Sequence, residues 1–168
     1  MKIIDVLLFE QIQGLFEKFA QGIPVQKVED SRFRVYRLEI DPLLVILFYL
    51  NEMNNKMPAY LVENIGPSLK RIVWLLDDQQ SSDLTTAEGY ESIIKRYDNL
   101  IPSAVVLRID ESKIGRIPEN LIKKSLYLGD HSRLHIWNEA EGQDSLRIWK
   151  SIWSPSDLPA GMNTANSA

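Results

Sequence analysis

Two pairs of adjacent acids carry the strongest chemical signal in this sequence. Asp77-Asp78 follows the apolar segment Leu69–Leu76, and Asp110-Glu111 follows Ala104–Ile109. If both segments are parallel strands, Asp77, Asp78, Asp110 and Glu111 meet at C-terminal strand ends, where α/β proteins place ligands. Magnesium is commonly held by one or two carboxylates together with substrate phosphates. That convergence would suit a metal-dependent nuclease or phosphoryl-transfer enzyme. The plainer alternative makes the acids solvated ends of apolar elements, and the leading expectation is no metal and no cofactor.

Other catalytic chemistry is thinly represented. The chain has no cysteine, which removes thiolate nucleophiles, disulfides and Cys-ligated metals together. It has two histidines, His131 and His135. Asp130-His131-Ser132 holds the letters of a hydrolytic triad, but three consecutive residues cannot converge in relay geometry. A polar turn is expected there. No G-x-x-x-x-G-K-[ST], G-x-G-x-x-G or G-x-S-x-G pattern occurs, and the eight glycines are dispersed.

Tryptophan offers a different kind of site. Trp137, Trp149 and Trp153 cluster near the end of the chain, and Trp149 and Trp153 could share a helical face or lie near one another in and after a strand. As core residues they would close the fold. As exposed residues they would anchor a protein partner, since tryptophan is enriched at interface hot spots.

These residues need elements to position them. Leu8, Ile12, Leu15, Phe16 and Phe19 recur at helical spacing, with Gly22 as a stop and Pro24 beyond it, so an N-terminal amphipathic helix is expected. Residues 32–40 read as a strand. Asp41-Pro42 either caps a helix through Leu43–Met53 or turns the chain into a buried strand. Leucine outnumbers β-branched residues there, which favours the helix. Leu69, Ile72, Val73 and Leu76 fit a helical face, yet two aspartates at a helix C-terminus oppose the macrodipole, so a strand ending at Asp77 stays open. Thr85-x-x-Glu88 is a capping-box pattern ahead of Tyr90, Ile93, Ile94 and Tyr97. Residues 104–109 read as a strand and Pro118–Leu126 as a short helix. Residues 133–137 and 146–149 alternate well enough for an antiparallel hairpin. From residue 154 the composition predicts a disordered tail.

The order of pieces over 104–150 resembles the swapped-hairpin domain of AbrB- and MazE-type regulators and antitoxins. The matching residues are Gly115-Arg116-Ile117-Pro118, Leu121-Ile122-Lys123-Lys124 and Gly129-Asp130. The resemblance implies an interleaved dimer that binds DNA, with Lys113, Arg116, Lys123, Lys124 and Arg133 contacting phosphates and bases. Glu111-x-Lys113 also resembles the E-x-K element of restriction-type nucleases, without the Pro-Asp partner of that motif.

Composition limits the class. With 45% hydrophobic and 25% charged residues, the chain is globular rather than disordered. A net charge of −4 and a pI near 5.2 argue against non-specific attraction to nucleic acid or anionic lipid. Asp5 and Glu10 break the early apolar run, and Leu43–Leu50 is too short to cross a bilayer, so a cytoplasmic protein without membrane contact is expected. The sequence therefore predicts a single α+β domain over 1–153, with N-terminal helices and a C-terminal mixed or antiparallel sheet. The leading function is a non-catalytic protein-interaction protein: adaptor, inhibitor, immunity-type protein or assembly chaperone. Its partner would be another protein of unknown identity, with self-association left open. A DNA-binding regulator or antitoxin is the alternative, and the metal-dependent enzyme stands behind it.

Overall fold

The first strand, β1 (Lys2–Glu10), runs through the middle of a seven-stranded sheet. The computed structural model describes residues 1–29, 34–40, 43–50, 68–77, 94–95, 97, 101–110, 112, 115–116 and 118–153. The other strands are β2 (Val25–Glu29), β3 (Arg34–Ile40), β4 (Leu43–Leu50), β5 (Leu69–Asp77), β6 (Ser103–Arg108) and β7 (Arg133–Trp137). Their order across the sheet is β2-β3-β4-β1-β5-β6-β7. From β4 to β7 every pairing is parallel, whereas β2–β3 and β3–β4 are antiparallel. Three helices are described: α1 (Leu15–Phe19), α2 (Glu119–Ser125) and α3 (Asp144–Ile152).

The central strands β1, β5 and β6 are buried on both faces over most of their length, and strand alternation divides the core in two. Val6 and Leu8 of β1, with Val73, Leu75, Ala104 and Val106, meet Phe16 and Phe19 of α1 and Ile148, Trp149 and Ile152 of α3. Leu7 and Phe9, with Ile72, Trp74, Val105 and Leu107, face Ile122 of α2 and Leu126 just past its end, together with Ile94 and Tyr97. Phe9 stacks on Trp74 at 4.6 Å. The Trp74 indole N–H donates to Ser103 Oγ at 3.1 Å, so this large buried ring leaves no orphan donor.

This architecture is α/β, not the expected α+β, and helices follow strands instead of preceding them. The physical reason is the same for each misread segment. A parallel strand covered on both faces becomes a near-continuous apolar run, in which helical and strand periodicities cannot be separated. Leu43–Leu50 is thus a strand despite its leucines, because it pairs with β1 on one side and β3 on the other. Leu69–Asp77 is likewise a strand between β1 and β6. The predicted N-terminal helix is reduced to α1, since residues up to Glu10 belong to the central strand. The expected C-terminal hairpin does not form. β7 pairs in parallel with β6, and residues 144–152 are helical, with Ile148, Trp149 and Ile152 on one buried face. The strand expected over 32–40 is described from Arg34 onward as β3. The capping-box motif and the tail from residue 154 lie outside the described residues. Among the described residues, no helix is long and apolar enough to cross a membrane.

Candidate functional site

Five parallel strands end together, and the ends of β1, β4, β5 and β6 carry polar side chains that turn inward. At the end of β1, Glu10 is 7% exposed although it is an acid. Its carboxylate is taken up by the loop that follows. The Gly14 N–H donates to Glu10 Oε1 at 3.2 Å and the Phe16 N–H donates to Oε2 at 2.9 Å. The Tyr49 hydroxyl, near the end of β4, also donates to Oε1. Three donors on one carboxylate compensate the cost of burying it.

The backbone explains how the loop turns back on Glu10. Gly14 has φ 87°, in the left-handed region that favours glycine. A Cβ there would meet nothing within 4 Å, so the requirement for glycine is conformational rather than steric. Tyr49 is fixed by its neighbours: Phe16 lies 6.3 Å away ring to ring, Tyr36 6.1 Å, and the Arg34 guanidinium sits 4.9 Å from the Tyr49 ring.

A second polar cluster lies over β5, β6 and the residue past β7. Arg108 Nε and Nη2 donate to Asp77 Oδ1 and Oδ2 at 3.2 and 2.7 Å. Arg108 Nη1 donates to Glu139 at 2.6 Å, and Lys18 of α1 approaches the same Glu139 at 3.7 Å. The hydrogen bond to Asp77 holds the Arg108 guanidinium above its ordinary pKa range; burial opposes this, and the Asp77 charge and then Glu139 add to it. Gln11, in the β1–α1 loop, accepts from the Asp77 N–H at 2.8 Å and so joins the two clusters.

The predicted site residues scatter around this edge. Asp77 is at it, 4% exposed, but its carboxylate is paired with Arg108. Asp110 is exposed and accepts from Ser112 in its own turn. Asp78 and Glu111 lie outside the described residues, and no metal-ligating group of three or more occurs among those described. Arg116, Lys124 and Arg133 are exposed on a turn, on α2 and at the start of β7, Lys123 is half-buried, and Lys113 lies outside the described residues. Trp137, Trp149 and Trp153 are all buried, which corrects the expectation of an exposed aromatic anchor. They pack with Phe19 against the sheet, because α3 turns them inward. Glu10 and Arg108 were missed as site residues. Their signal was a charge at the end of an apolar strand, followed in the case of Glu10 by glycine four residues on.

No protein-family model matches the chain, and no curated protein matches it in sequence. Among solved structures it is similar to the Arl6 (BBS3) small GTPase from Trypanosoma brucei, determined with the nucleotide analogue GppNp. The TM-score is 0.57 at 14% identity, over 90% of this chain and 95% of the other.

The chain has the fold of a small GTPase.

The reading of a non-catalytic adaptor, inhibitor, immunity-type protein or assembly chaperone rested on acidic charge, the tryptophans and missing catalytic motifs, and the likeness to a small GTPase speaks against it. The reading is withdrawn, together with the expectation that the protein is not an enzyme and the alternative of a DNA-binding regulator. The β1–α1 loop is the connection that follows the first strand and leads into α1. In P-loop proteins this connection cradles phosphates with backbone amides, a lysine and a magnesium-binding hydroxyl. With Gly14 as the second glycine of G-x-x-x-x-G-K-[ST], the remaining positions fall on Phe9, Leu15 and Phe16.

Proposed function

We propose that this protein is a self-liganded form of the small-GTPase fold. The Glu10 carboxylate takes the part of a nucleotide phosphate, so that the β1–α1 loop is ordered without nucleotide. The observation that carries this reading is the pair of backbone donors, from Gly14 and Phe16, closed on Glu10. Backbone amides of such loops form an anion-binding concavity, and here the anion belongs to the chain itself.

Two further features support it. Leu15 and Phe16 supply neither the ammonium nor the hydroxyl that P-loop chemistry uses on β/γ-phosphates and magnesium. Beside the loop, Arg108 is committed to Asp77 and Glu139, so a described cation at the strand ends is already neutralised. In nucleotide switches the γ-phosphate and its magnesium order the surrounding loops, which are released on hydrolysis. Glu10 is covalently attached and cannot be released.

The test is thermal melting of purified protein with and without about 1 mM GppNp and Mg²⁺, since a ligand bound only by the native state raises the midpoint by mass action. The expected result is no shift and no nucleotide carried through purification, with Glu10→Ala strongly destabilised. A clear shift of the wild type, or stoichiometric co-purified nucleotide, would overturn the proposal in favour of ordinary nucleotide gating.

A further inference from the structure

Helix α1 is held near both ends by carboxylates that lie far apart in the sequence. At its start, Glu10 accepts from the Gly14 and Phe16 amides. Near its end, Lys18 reaches Glu139, in the loop between β7 and α3, at 3.7 Å. Glu139 bridges two cations, since one oxygen meets Lys18 and the other accepts from Arg108 at 2.6 Å. The apolar side of α1 runs to the same corner. Phe19 lies edge-on to Trp137 at 5.3 Å and to Trp149 at 6.0 Å. Just past α1, the Gln21 carbonyl accepts from the Ser145 hydroxyl of α3 at 3.5 Å.

A second route runs through the sheet. Arg108 joins Glu139 to Asp77 at the end of β5. Gln11, the neighbour of Glu10, is pinned to that strand end twice. Its N–H donates to the Leu75 carbonyl at 2.9 Å, and its side-chain oxygen accepts from the Asp77 N–H at 2.8 Å. Glu10 and Glu139 are thus joined by two routes, although they share no partner among the described residues. The loop that carries Glu139 is itself fixed, because Asp144, buried at the start of α3, accepts from the Asn138 N–H at 2.9 Å. Close-packed interiors transmit small displacements, and contiguous rings, ion pairs and rigid elements are what carry coupling between separated sites.

We propose that α1 is a strap that couples the Glu10 loop to the corner between β7 and α3. Loosening the Glu10 contacts loosens the seating of Glu139, and a change at Glu139 acts back on the loop with the same coupling energy. Residues 138–143 are then where the state of the Glu10 loop is expressed. The inference rests on the reading that Glu10 orders that loop, and it adds how the loop communicates with the rest of the fold.

The test compares amide NMR shifts of the full chain as wild type, Glu10→Gln, Glu139→Ala and Ile122→Val. Ile122 of α2 belongs to the other core cluster and controls for general loosening. Glu10→Gln should move the amides of residues 138–144 as well as those of residues 14–19. Glu139→Ala should move the amides of Gly14 and Phe16, and Ile122→Val should move neither group. In urea, the double variant Glu10→Gln with Glu139→Ala should depart from additivity by about three-fold or more in the unfolding constant, whereas independent sites agree within about two-fold. Shifts in Glu10→Gln that stop at residue 19, equal shifts in Ile122→Val, or additive stabilities would overturn the coupling and leave the reading of Glu10 standing. A Glu10→Gln spectrum unchanged over residues 14–19 would overturn both.

Discussion

Glu10 Oε2 accepts a hydrogen bond from the Phe16 backbone N–H at 2.9 Å, although the two residues are separated by the tip of a loop. The strand end thereby holds the start of α1 in place. The contact is buried, so the amide has no water to turn to if the carboxylate is removed.

Glu10→Ala should cost about 3 kcal/mol of stability, because it removes the acceptor of the buried Phe16 N–H, of the partly buried Gly14 N–H and of one Tyr49 hydroxyl bond. Glu10→Gln should cost less, about 1–2 kcal/mol, since one oxygen still accepts. Urea denaturation of the three proteins measures both. Equal stability of wild type and Glu10→Ala would mean that the carboxylate does not organise the loop.

Gly14 adopts φ 87° with open space where a Cβ would point. Gly14→Ala should therefore cost about 1 kcal/mol, the left-handed penalty alone. Gly14→Asn should be milder and Gly14→Val worse, because asparagine tolerates this conformation and a β-branched residue does not. The order Asn, Ala, Val in urea midpoints is the check. A different order would point to steric contacts instead.

Arg108 and Asp77 form a two-pronged buried pair. Asp77→Ala should destabilise by about 3 kcal/mol, as it takes the two-pronged acceptor from a buried Arg108 that keeps its bond to Glu139. The pH dependence follows from the raised Arg108 pKa. A basic group raised on folding contributes stability that is complete below its unfolded pKa and lost as pH rises through its folded pKa. For an arginine already held above its ordinary range, that loss lies far into alkali. The destabilisation caused by Arg108→Met should thus be flat between about pH 6 and pH 10. A marked decline across that interval would assign the contact to another titrating group.

Trp149 is 1% exposed and lies edge-on to both Phe19 and Trp153. Trp149→Ala should cost about 4 kcal/mol through the cavity it leaves. Trp149→Phe should cost far less than that, because the indole N–H has no hydrogen-bond partner among the described residues and its removal loses no bond. Chemical denaturation of both variants separates packing from polar contribution. Similar losses in the two would show that the N–H is satisfied.

The sequence by itself determined the composition of the core, the strand of residues 104–108, the short helix after Pro118 and the absence of an intact phosphate-loop motif. These were legible because they are local: a β-branched run, a proline start, a fixed spacing of glycines and lysine. Tertiary structure decided the rest. Val6, Leu7, Leu8 and Phe9 are apolar without interruption, so no periodicity could mark them as a strand buried on both faces. Trp149 reads equally as anchor or core until the direction of α3 is known. Glu10 reads only as a break in an apolar run, since its meaning depends on two backbone amides whose positions follow from a left-handed glycine. Arg108 is one charge in a hydrophobic strand until parallel pairing sets it beside Asp77, 31 residues away. Spacing within one element can be read along the chain, whereas a contact between strand ends exists only once the sheet order is fixed.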